Sequence, residues 1–418
     1  MANILMITTL YPPFHLGGYD LRCRDIAEEL IKNEHTVRVL VTRRGVKTKQ
    51  IDNNIHRVLH SRFEKAGFIK RIIWDISDLS YIRAQIRRFK PDIIYLFHTM
   101  SIARTIFPFL SNLTIPIIYD EGGIGLLDAW NNHGTWIKFC ERRSENRWKN
   151  LLKKVIVKAL RLICGSLLPI HWAMPPMKVY FNSQYSLNRT LQAGVLLQDA
   201  RVIYSGVDIG KFEFLKRNKL GNTIRFLFPG RIDKLKGIDS AIYAIANLKT
   251  IYPNYQFYLD IVGPIQDVAY YEQLQELINK NNLKENVTFI DIVDYEEMPT
   301  YYHKADFCLL FTKFESFSRV PLEAMACGSV VICSPVGGNK EIIEEGIDGF
   351  IVEPDDLETF RKIMELFIKR PELICEISYA ARKKIENKYS FSKYMQQIES
   401  MIQETFGDAN INSYKNRD

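Results

Sequence analysis

The chain has 418 residues, 47% of them hydrophobic and 25% charged, the balance of a folded globular protein rather than a disordered, collagen-like or low-complexity one. That length supports two or three domains with substantial cores and excludes a disulfide-framed miniprotein. The net charge of +8 suits an anionic partner such as nucleic acid, nucleotide or membrane, and seven scattered cysteines with no CxxC pair indicate neither a zinc ribbon nor a disulfide framework, so a reducing, cytoplasmic setting is expected.

Residues Asn3–Thr9 are continuously apolar, but Tyr11-Pro12-Pro13 follows and no basic region precedes, so the run is too short for a signal peptide or a spanning helix. It reads instead as a buried strand. A loop with Gly17-Gly18 follows, then the helical spacing of Leu21, Ile26, Ala27 and Leu30, then the strand TVRVLVT. The alternation continues through a helix over 71–88, the strand DIIYLF ahead of His98, a helix near 102–110, the strands IPIIYD and KVYFN, and a helix over 184–193. A second series opens with TIRFLFP and runs through FYLDIVG, NVTFI, DFCLLF and SVVICS, with helices over 236–250, 270–281, 320–327 and 339–345 between them. Strands alternating with helices predict parallel sheets covered on both faces. The expected fold is therefore α/β, two doubly wound parallel-sheet domains facing across a cleft. The turn Ser205-Gly206-Val207-Asp208 and the polar KRNKLGN mark the junction, giving an N-terminal domain over 1–205 and a C-terminal domain over 206–390.

Ligands of such sheets bind beyond the carboxyl ends of the strands. The loops there hold Gly17-Gly18, His98, Asp120-Glu121, Arg231, Gly263, Glu315 and Gly337-Gly338. In FPGRIDKLKG, Arg231 and Lys236 stand between a strand and a helix start, where two cations and free backbone N–H groups suit a diphosphate, or are simply solvated. FESFSRVPLEAMACG places Glu315 on a loop and Glu323 eight residues on inside the next helix, where both acids can face one cleft. Acids near a helix start are also common for electrostatic reasons alone. In SPVGGNKE, Gly337-Gly338 lets backbone approach a phosphate or a sugar. Each signal is weak alone, but the three occur in order on successive loops of one domain.

With these pieces in place the sequence resembles a retaining GT-B glycosyltransferase of the large family 4 group. The resemblance is carried by YPPFHLGGYDLRCRDIAEELIKNEHTVRVLVT, NSQYSLNRTLQAGV, the YSGVD turn, GRIDKLKGID, the Glu315-to-Glu323 spacing with EAMACG after it, and the GG…E…G…V.P ending. It implies Rossmann-like domains, a nucleotide diphosphate sugar as co-substrate, a glycan or lipid-linked acceptor in polysaccharide or glycolipid assembly, and no cofactor. It also implies that Arg231 and Lys236 neutralise the diphosphate, that Glu323 holds the ribose hydroxyls, and that Glu315 orients the donor sugar. Backbone N–H groups from Ser316, Phe317 and Ser318 through Val320 to Leu322 would support the phosphates, Gly17 and Gly18 would admit the diphosphate, and Gly263 and the Ile292-Val293 loop would lie on the donor side. Fixed cations and N–H dipoles stabilise the charge that builds on a departing diphosphate, so no metal is expected, and the chain has no Asp-x-Asp.

Two departures stand out. Ser318 replaces the glycine usual after the Phe of the motif, and IPIIYDEGG offers Asp120 where many members carry a histidine, which makes Asp120 a catalytic candidate or only a turn former. The resemblance further implies that the helix from Phe391 to Thr405 crosses back, so 391–418 counts with the N-terminal domain.

Between 136 and 178 lies the strongest local charge excess, with Arg143, Arg147, Lys154, Lys158 and Arg161 on one helical face and Leu152, Ile156, Ala159 and Ile163 on the opposite one. A basic amphipathic helix with Trp172 nearby reads either as a dock on an anionic membrane surface, peripheral to the inner face, or as a helix packed on its own core. Among rival functions, GGIG at Gly122–Gly125 lacks the third glycine of a dinucleotide fingerprint, and no GxxxxGK[ST] loop occurs. A sugar phosphorylase would need a pyridoxal lysine motif, which is not evident. A non-catalytic nucleotide- or nucleic-acid-binding protein on the same fold is the alternative, and intact Arg231, Lys236, Glu315 and Glu323 argue against it and against nucleic acid as a partner.

Overall fold

The computed structural model describes residues 1–14, 17–46, 48–97 and 99–415, with side chains to 407; His98 lies outside the described residues. Two compact units form, one of residues 1–182, 186–203 and 397–418, the other of 183–185 and 204–396.

The first unit is built on eight strands, β1 (Asn3–Thr8), β2 (Thr36–Thr42), β3 (Gln50–Asp52), β4 (Ile55–Leu59), β5 (Ile93–Phe97), β6 (Ile117–Glu121), β7 (Lys178–Phe181) and β8 (Asp199–Val202). They lie in the order β3-β4-β2-β1-β5-β6-β7-β8. Every pairing is parallel except β3 with β4. That edge hairpin departs from the all-parallel expectation. Its outer strand, Gln50–Asp52, is exposed throughout and carries no apolar run to announce it.

The second unit holds β9 (Thr223–Pro229), β10 (Gln256–Val262), β11 (Val287–Ile290), β12 (Phe307–Leu310), β13 (Val330–Cys333) and β14 (Gly349–Ile351), ordered β11-β10-β9-β12-β13-β14 and wholly parallel. The reason these strands read as unbroken apolar runs is visible in where their side chains go. Successive residues point to opposite faces, and both faces are cores. Phe226, Phe228, Phe307, Leu309 and Ile332 enter one cluster, while Leu227, Cys308, Leu310, Val331 and Cys333 enter the other. The first sheet follows the same rule, with Leu5, Ile7, Ile94 and Leu96 in one core and Ile4, Met6, Ile93 and Tyr95 buried as well. The helix expected over 339–345 is shorter, Asn339–Ile342, and the three-residue strand β14 follows where no strand is expected.

The last helix, Phe391–Lys415, contributes its later turns to the first unit. There Glu399 accepts from the Asn33 amide at 3.1 Å and lies 3.1 Å from the His35 ring, and Glu404 pairs with Arg201 at 3.0 Å.

The helix Arg147–Cys164 differs from every helix that covers a sheet, because none of its residues is buried. Asn146 caps its start, accepting from the N–H groups of Trp148 and Lys149. A seam of half-buried residues, Lys153, Val157, Leu160 and Cys164, rests on the unit, with Val157, Leu160 and Cys164 against a small core of Ile72, Trp136, Ile137 and Leu168. The apolar face named from the sequence turns outward instead: Leu152 and Ile163 are exposed, with Trp148 at 78%, Leu162 at 80% and Ile163 at 81%. Trp172, expected at an interface, is half-buried, stacked on His133 at 4.5 Å and against Phe107.

Phe226 sits at the centre of the second core, with Phe257, Phe307 and Phe360 around it at ring distances of 6.5, 5.5 and 6.2 Å. Phe226→Ala is expected to cost about 3–5 kcal/mol through lost burial and the cavity left behind, read as a lower urea midpoint of the second unit.

Candidate functional site

In the second unit the three sequence pieces meet at the carboxyl ends of β9, β10, β12 and β13. Gly263, which ends β10, has φ +148, and a Cβ there would lie 2.2 Å from the Gly230 carbonyl oxygen. Only glycine allows that contact, and it brings Arg231 directly off the end of β9. Arg231 is half-exposed; its Nη1 donates to Gln266 Oε1 at 3.1 Å and its Nη2 lies 3.6 Å from Asp233. Lys236, in the turn before the helix Ile238–Ile251, donates to Glu315 Oε2 at 3.1 Å.

Glu315 and its neighbours are fixed by the second glycine contact. Gly337 has φ +57, and a Cβ on it would lie 1.8 Å from the Glu315 carbonyl oxygen. The Gly338 N–H donates to the Ser316 carbonyl at 2.9 Å, and Ser183 Oγ donates to the same carbonyl at 3.0 Å. The loops after β12 and β13 thus dock backbone to backbone, and the Glu315 carboxylate accepts from the Ser316 N–H at 3.2 Å.

Ser318 caps the helix Arg319–Cys327, its Oγ accepting from the Val320 N–H at 3.3 Å. Its φ of −87° is ordinary extended backbone, so the serine fits where a glycine is usual. The cap also occupies the Val320 N–H, one of the groups assigned to phosphates by resemblance. Phe317 is buried beside Tyr204 at a ring distance of 5.7 Å, Leu322 is fully buried in the core, and Val293 packs on that core while Ile292 is exposed.

Glu323 is buried inside that helix. Its Oε1 accepts from Tyr295 at 2.7 Å, its Oε2 from Tyr302 at 2.9 Å, and Arg319 Nε lies 3.4 Å from Oε1. Burial first, and then the Glu323 charge, push the Tyr302 hydroxyl well above its usual range, so Tyr302 stays a donor. Three charge-matched neighbours keep a buried carboxylate in place. Sequence reasoning missed all three. Arg319 had a signal, its four-residue spacing to Glu323; the tyrosines, from the loop and helix before β12, had none.

The remaining sequence candidates belong to the first unit. Gly17 lies in extended backbone with φ 179°, and a Cβ there would meet nothing within 4 Å; Gly18 opens the helix Gly18–Lys32. Asp120, at the end of β6, is fully buried rather than set on an open loop. It accepts from Arg22 Nη2 at 2.6 Å, from the Tyr19 hydroxyl at 2.9 Å, and from Tyr180, whose hydroxyl also meets that of Tyr95. Burial raises its pKa while Arg22 opposes the rise. Glu121 accepts from the N–H groups of Gly123 at 2.7 Å and Gly125 at 3.1 Å, and from that of Leu126, and so holds the start of the helix Gly125–Asn131.

Two family models match this chain, Glycosyltransferase Family 4 over residues 16–167 and Glycosyl transferases group 1 over residues 211–384. The chain belongs to the family 4, group 1 glycosyltransferases. Among curated family relatives, an alpha-1,3/1,6-mannosyltransferase of Mus musculus is 26% identical over 238 residues, 53% of this chain and 57% of that one. A glycogen synthase of Mycobacterium tuberculosis is 25% identical over 195 residues, 47% of this chain and 46% of that one. The match spans about half the length of these relatives. Sucrose-phosphate synthase from Thermosynechococcus elongatus superposes with a TM-score of 0.72 at 18% identity, over 97% of this chain and 99% of that one. HepE of Anabaena, solved with UDP-glucose, gives 0.68 at 19% identity over 97% and 100%. These likenesses are of fold, and the fold is GT-B: two parallel-sheet α/β domains.

Tyr302→Phe deprives the buried Glu323 of one donor and is expected to lower stability by about 1–3 kcal/mol, measured by chemical denaturation; a smaller change in Tyr295→Phe is expected, because Arg319 still reaches Oε1.

Proposed function

We propose that this protein is a retaining, metal-independent hexosyltransferase that moves a sugar from a nucleotide diphosphate sugar to a glycan or lipid-linked acceptor in polysaccharide or glycolipid assembly. The observation that carries the reading is the convergence of Arg231, Lys236 and Glu315 at one end of one sheet, held there by the Gly337 contact. In this reading Arg231 and Lys236 bind the diphosphate. As the bond from the anomeric carbon to the phosphate oxygen breaks, negative charge grows on the diphosphate and positive charge on the sugar ring, and cations already in position need no reorganisation. Glu315, beside Lys236, accepts from donor-sugar hydroxyls, and Glu323 takes the ribose, exchanging a tyrosine hydroxyl for a ribose one. Backbone N–H groups of Ser316, Phe317, Ser318, Val320 and Leu322 support the phosphates, with the Val320 N–H released from Ser318. Gly263 and Val293 line the donor side. Gly17 and Gly18 admit the diphosphate, Asp120 is a catalytic candidate held by Arg22, Tyr19 and Tyr180, and residues 206–390 form the donor domain.

The test is a thermal-shift and turnover screen against UDP-, GDP- and ADP-sugars, with UDP-glucose first because HepE was solved with it. One nucleotide class is expected to raise the melting temperature. Lys236→Ala is expected to remove that shift and to lower kcat/KM by about 10²–10³. A nucleotide-dependent shift with no turnover of any of these sugars would instead favour the non-catalytic nucleotide-binding alternative.

We infer also that the helix Arg147–Cys164 docks on an anionic membrane surface, which would set the enzyme on the inner membrane face. Its exposed Trp148, Leu162 and Ile163 adjoin the row of Arg147, Lys154, Lys158 and Arg161, and each cation near such a leaflet adds about 1 kcal/mol. No described helix is long and apolar enough to cross a membrane. Co-sedimentation with vesicles rich in anionic lipid at low salt is expected, weakened by salt and lost in a Trp148→Ala, Leu162→Asp, Ile163→Asp triple variant. Equal sedimentation of the triple variant would rule the helix out as the dock.

A further inference from the structure

The first unit carries a half-open pocket of about 360 Å³ for which the donor chemistry has no use. Four pieces of chain wall it: the residues after β4 (His60–Phe63), one side of the helix Phe68–Phe89, the turn at Ala103-Arg104, and the start of the helix Gly134–Glu141. The volume is at the small end for ligand sites, room for one sugar ring with a charged substituent.

The wall carries a surplus of positive charge. Arg62 and Arg104 both donate to the single carboxylate of Asp128. The Nε–H of each guanidinium is buried and has no hydrogen-bond partner. Burial, and after it the charge of Arg104, press the Arg62 guanidinium below its usual range, a strain that an anion alongside relieves. Lys138 lines the same cavity and makes no ion pair among the described residues. Arg71, by contrast, is turned to the backbone: it donates to the carbonyls of Ala66, Arg62 and Glu64 at 3.3, 2.8 and 3.1 Å, and so fixes the loop that presents Arg62.

The two acids of the wall do not cancel this surplus. Asp78 accepts the His60 backbone N–H at 2.9 Å and lies 2.7 Å from the His60 ring Nδ1. Asp75 accepts one hydroxyl, that of Thr105, at 3.1 Å, and burial pushes it up to about 7. Such a carboxyl can donate as well as accept. Trp74 completes the wall, stacked on His60 with centroids 4.8 Å apart and planes 16° from parallel. The Trp74 indole, flanked by His60 and by Lys70 Nζ at 5.0 Å from its ring centre, adds apolar wall beside a carboxyl group and the Asn132 amide, which suit the hydroxyls of a sugar, while paired guanidiniums suit an oxyanion.

We propose that this cavity binds an acidic saccharide, a sugar bearing a phosphate or a carboxylate, with Arg62 and Lys138 on the oxyanion and Trp74 and Asp75 on the ring. Calling that sugar part of the acceptor rests on the transferase reading; the binding site itself does not.

The probes are glucose 6-phosphate, glucuronate, glucose and inorganic phosphate, titrated into the full chain by calorimetry. At least one acidic sugar is expected to bind, more tightly than glucose and than inorganic phosphate. Lys138→Glu, an exposed substitution that leaves the core untouched, is expected to weaken that binding at least about tenfold, since a hydrogen bond to a charged group is worth that much. Binding is expected to persist in Lys236→Ala, which separates this cavity from the donor site. Glucose or bare phosphate binding as tightly as the acidic sugars, or Lys138→Glu binding them unchanged, overturns the proposal, as does binding of neither acid. A chain that takes up an acidic sugar but shows no nucleotide-dependent thermal shift would keep the cavity's assignment and lose the transferase reading.

Discussion

A parallel sheet buried on both faces leaves chemistry only one place to go. In the second unit, alternate residues of β9, β12 and β13 are committed to opposite cores, so a polar side chain within a strand would be desolvated without a partner at a cost of several kcal/mol. The polar groups of the site accordingly begin one or two residues beyond the strand ends, at Arg231, Gly263 and the loop that carries Glu315. The first sheet does hold polar side chains buried within its strands, among them His56, Arg57, Asp120 and Glu121, and the way they are kept is informative. Asp120 does lie within a strand, and it is retained there by a complete set of donors from Arg22, Tyr19 and Tyr180. Such a network has to be satisfied in full or the carboxylate destabilises the fold.

Given loops in the right place, something must hold them to the tolerances that the proposed diphosphate binding requires. Here the work is done by missing side chains. Gly263 against Gly230 and Gly337 against Glu315 are contacts of backbone on backbone, too close for any Cβ, and backbone is stiffer than a side chain with several rotatable bonds. The Lys236–Glu315 pair then rests on a rigid floor. Lys236 loses part of its flexibility to that pair, and Glu315 loses part of its charge to Lys236. In the proposed reading, a ligand with a negative diphosphate and neutral hydroxyls is thereby matched at both ends of the pair.

Much of this was legible in the sequence because strands with two buried faces write themselves as apolar runs, and because the residues at their ends come in short contiguous motifs. Arg231, Lys236, Glu315 and Gly337 could be proposed as one site since each follows a strand of the same series. What stayed hidden was of two kinds. The β3–β4 hairpin and β14 are short, and Gln50–Asp52 is exposed and has no apolar alternation. Contacts between distant segments left no pattern either: Tyr295 and Tyr302 on Glu323, or Arg62 and Arg104 on Asp128, 66 and 24 residues apart respectively. The periodicity of the helix Arg147–Cys164 was plain, but periodicity says only that one face is apolar, not which side the protein covers. Here the covered side is the narrow seam of Val157, Leu160 and Cys164, and the broad apolar face is left outside.

That seam links two features of the first unit that look unrelated in sequence. Val157, Leu160 and Cys164 pack on Ile72 of the helix Phe68–Phe89 and on Trp136 and Ile137 of the helix Gly134–Glu141. Those same two helices supply Trp74, Asp75 and Lys138 to the acidic-saccharide cavity. Phe68 on one meets Phe139 on the other at 4.9 Å, and Lys153 of the exposed helix donates to the Cys140 carbonyl at 3.0 Å. One small core therefore fixes both the outward apolar face and the cavity wall, so the proposed membrane contact on that face would bear on the wall as well. On the two proposals above, an acceptor with a lipid tail, a phosphate and a sugar would have one feature for each part: acyl chains for Trp148 and Leu162, an oxyanion for Arg62 and Lys138, and a ring for Trp74. Each recognition alone is weak, but tied to one scaffold they raise each other's effective concentration, and selectivity arises for acceptors that satisfy all three at once.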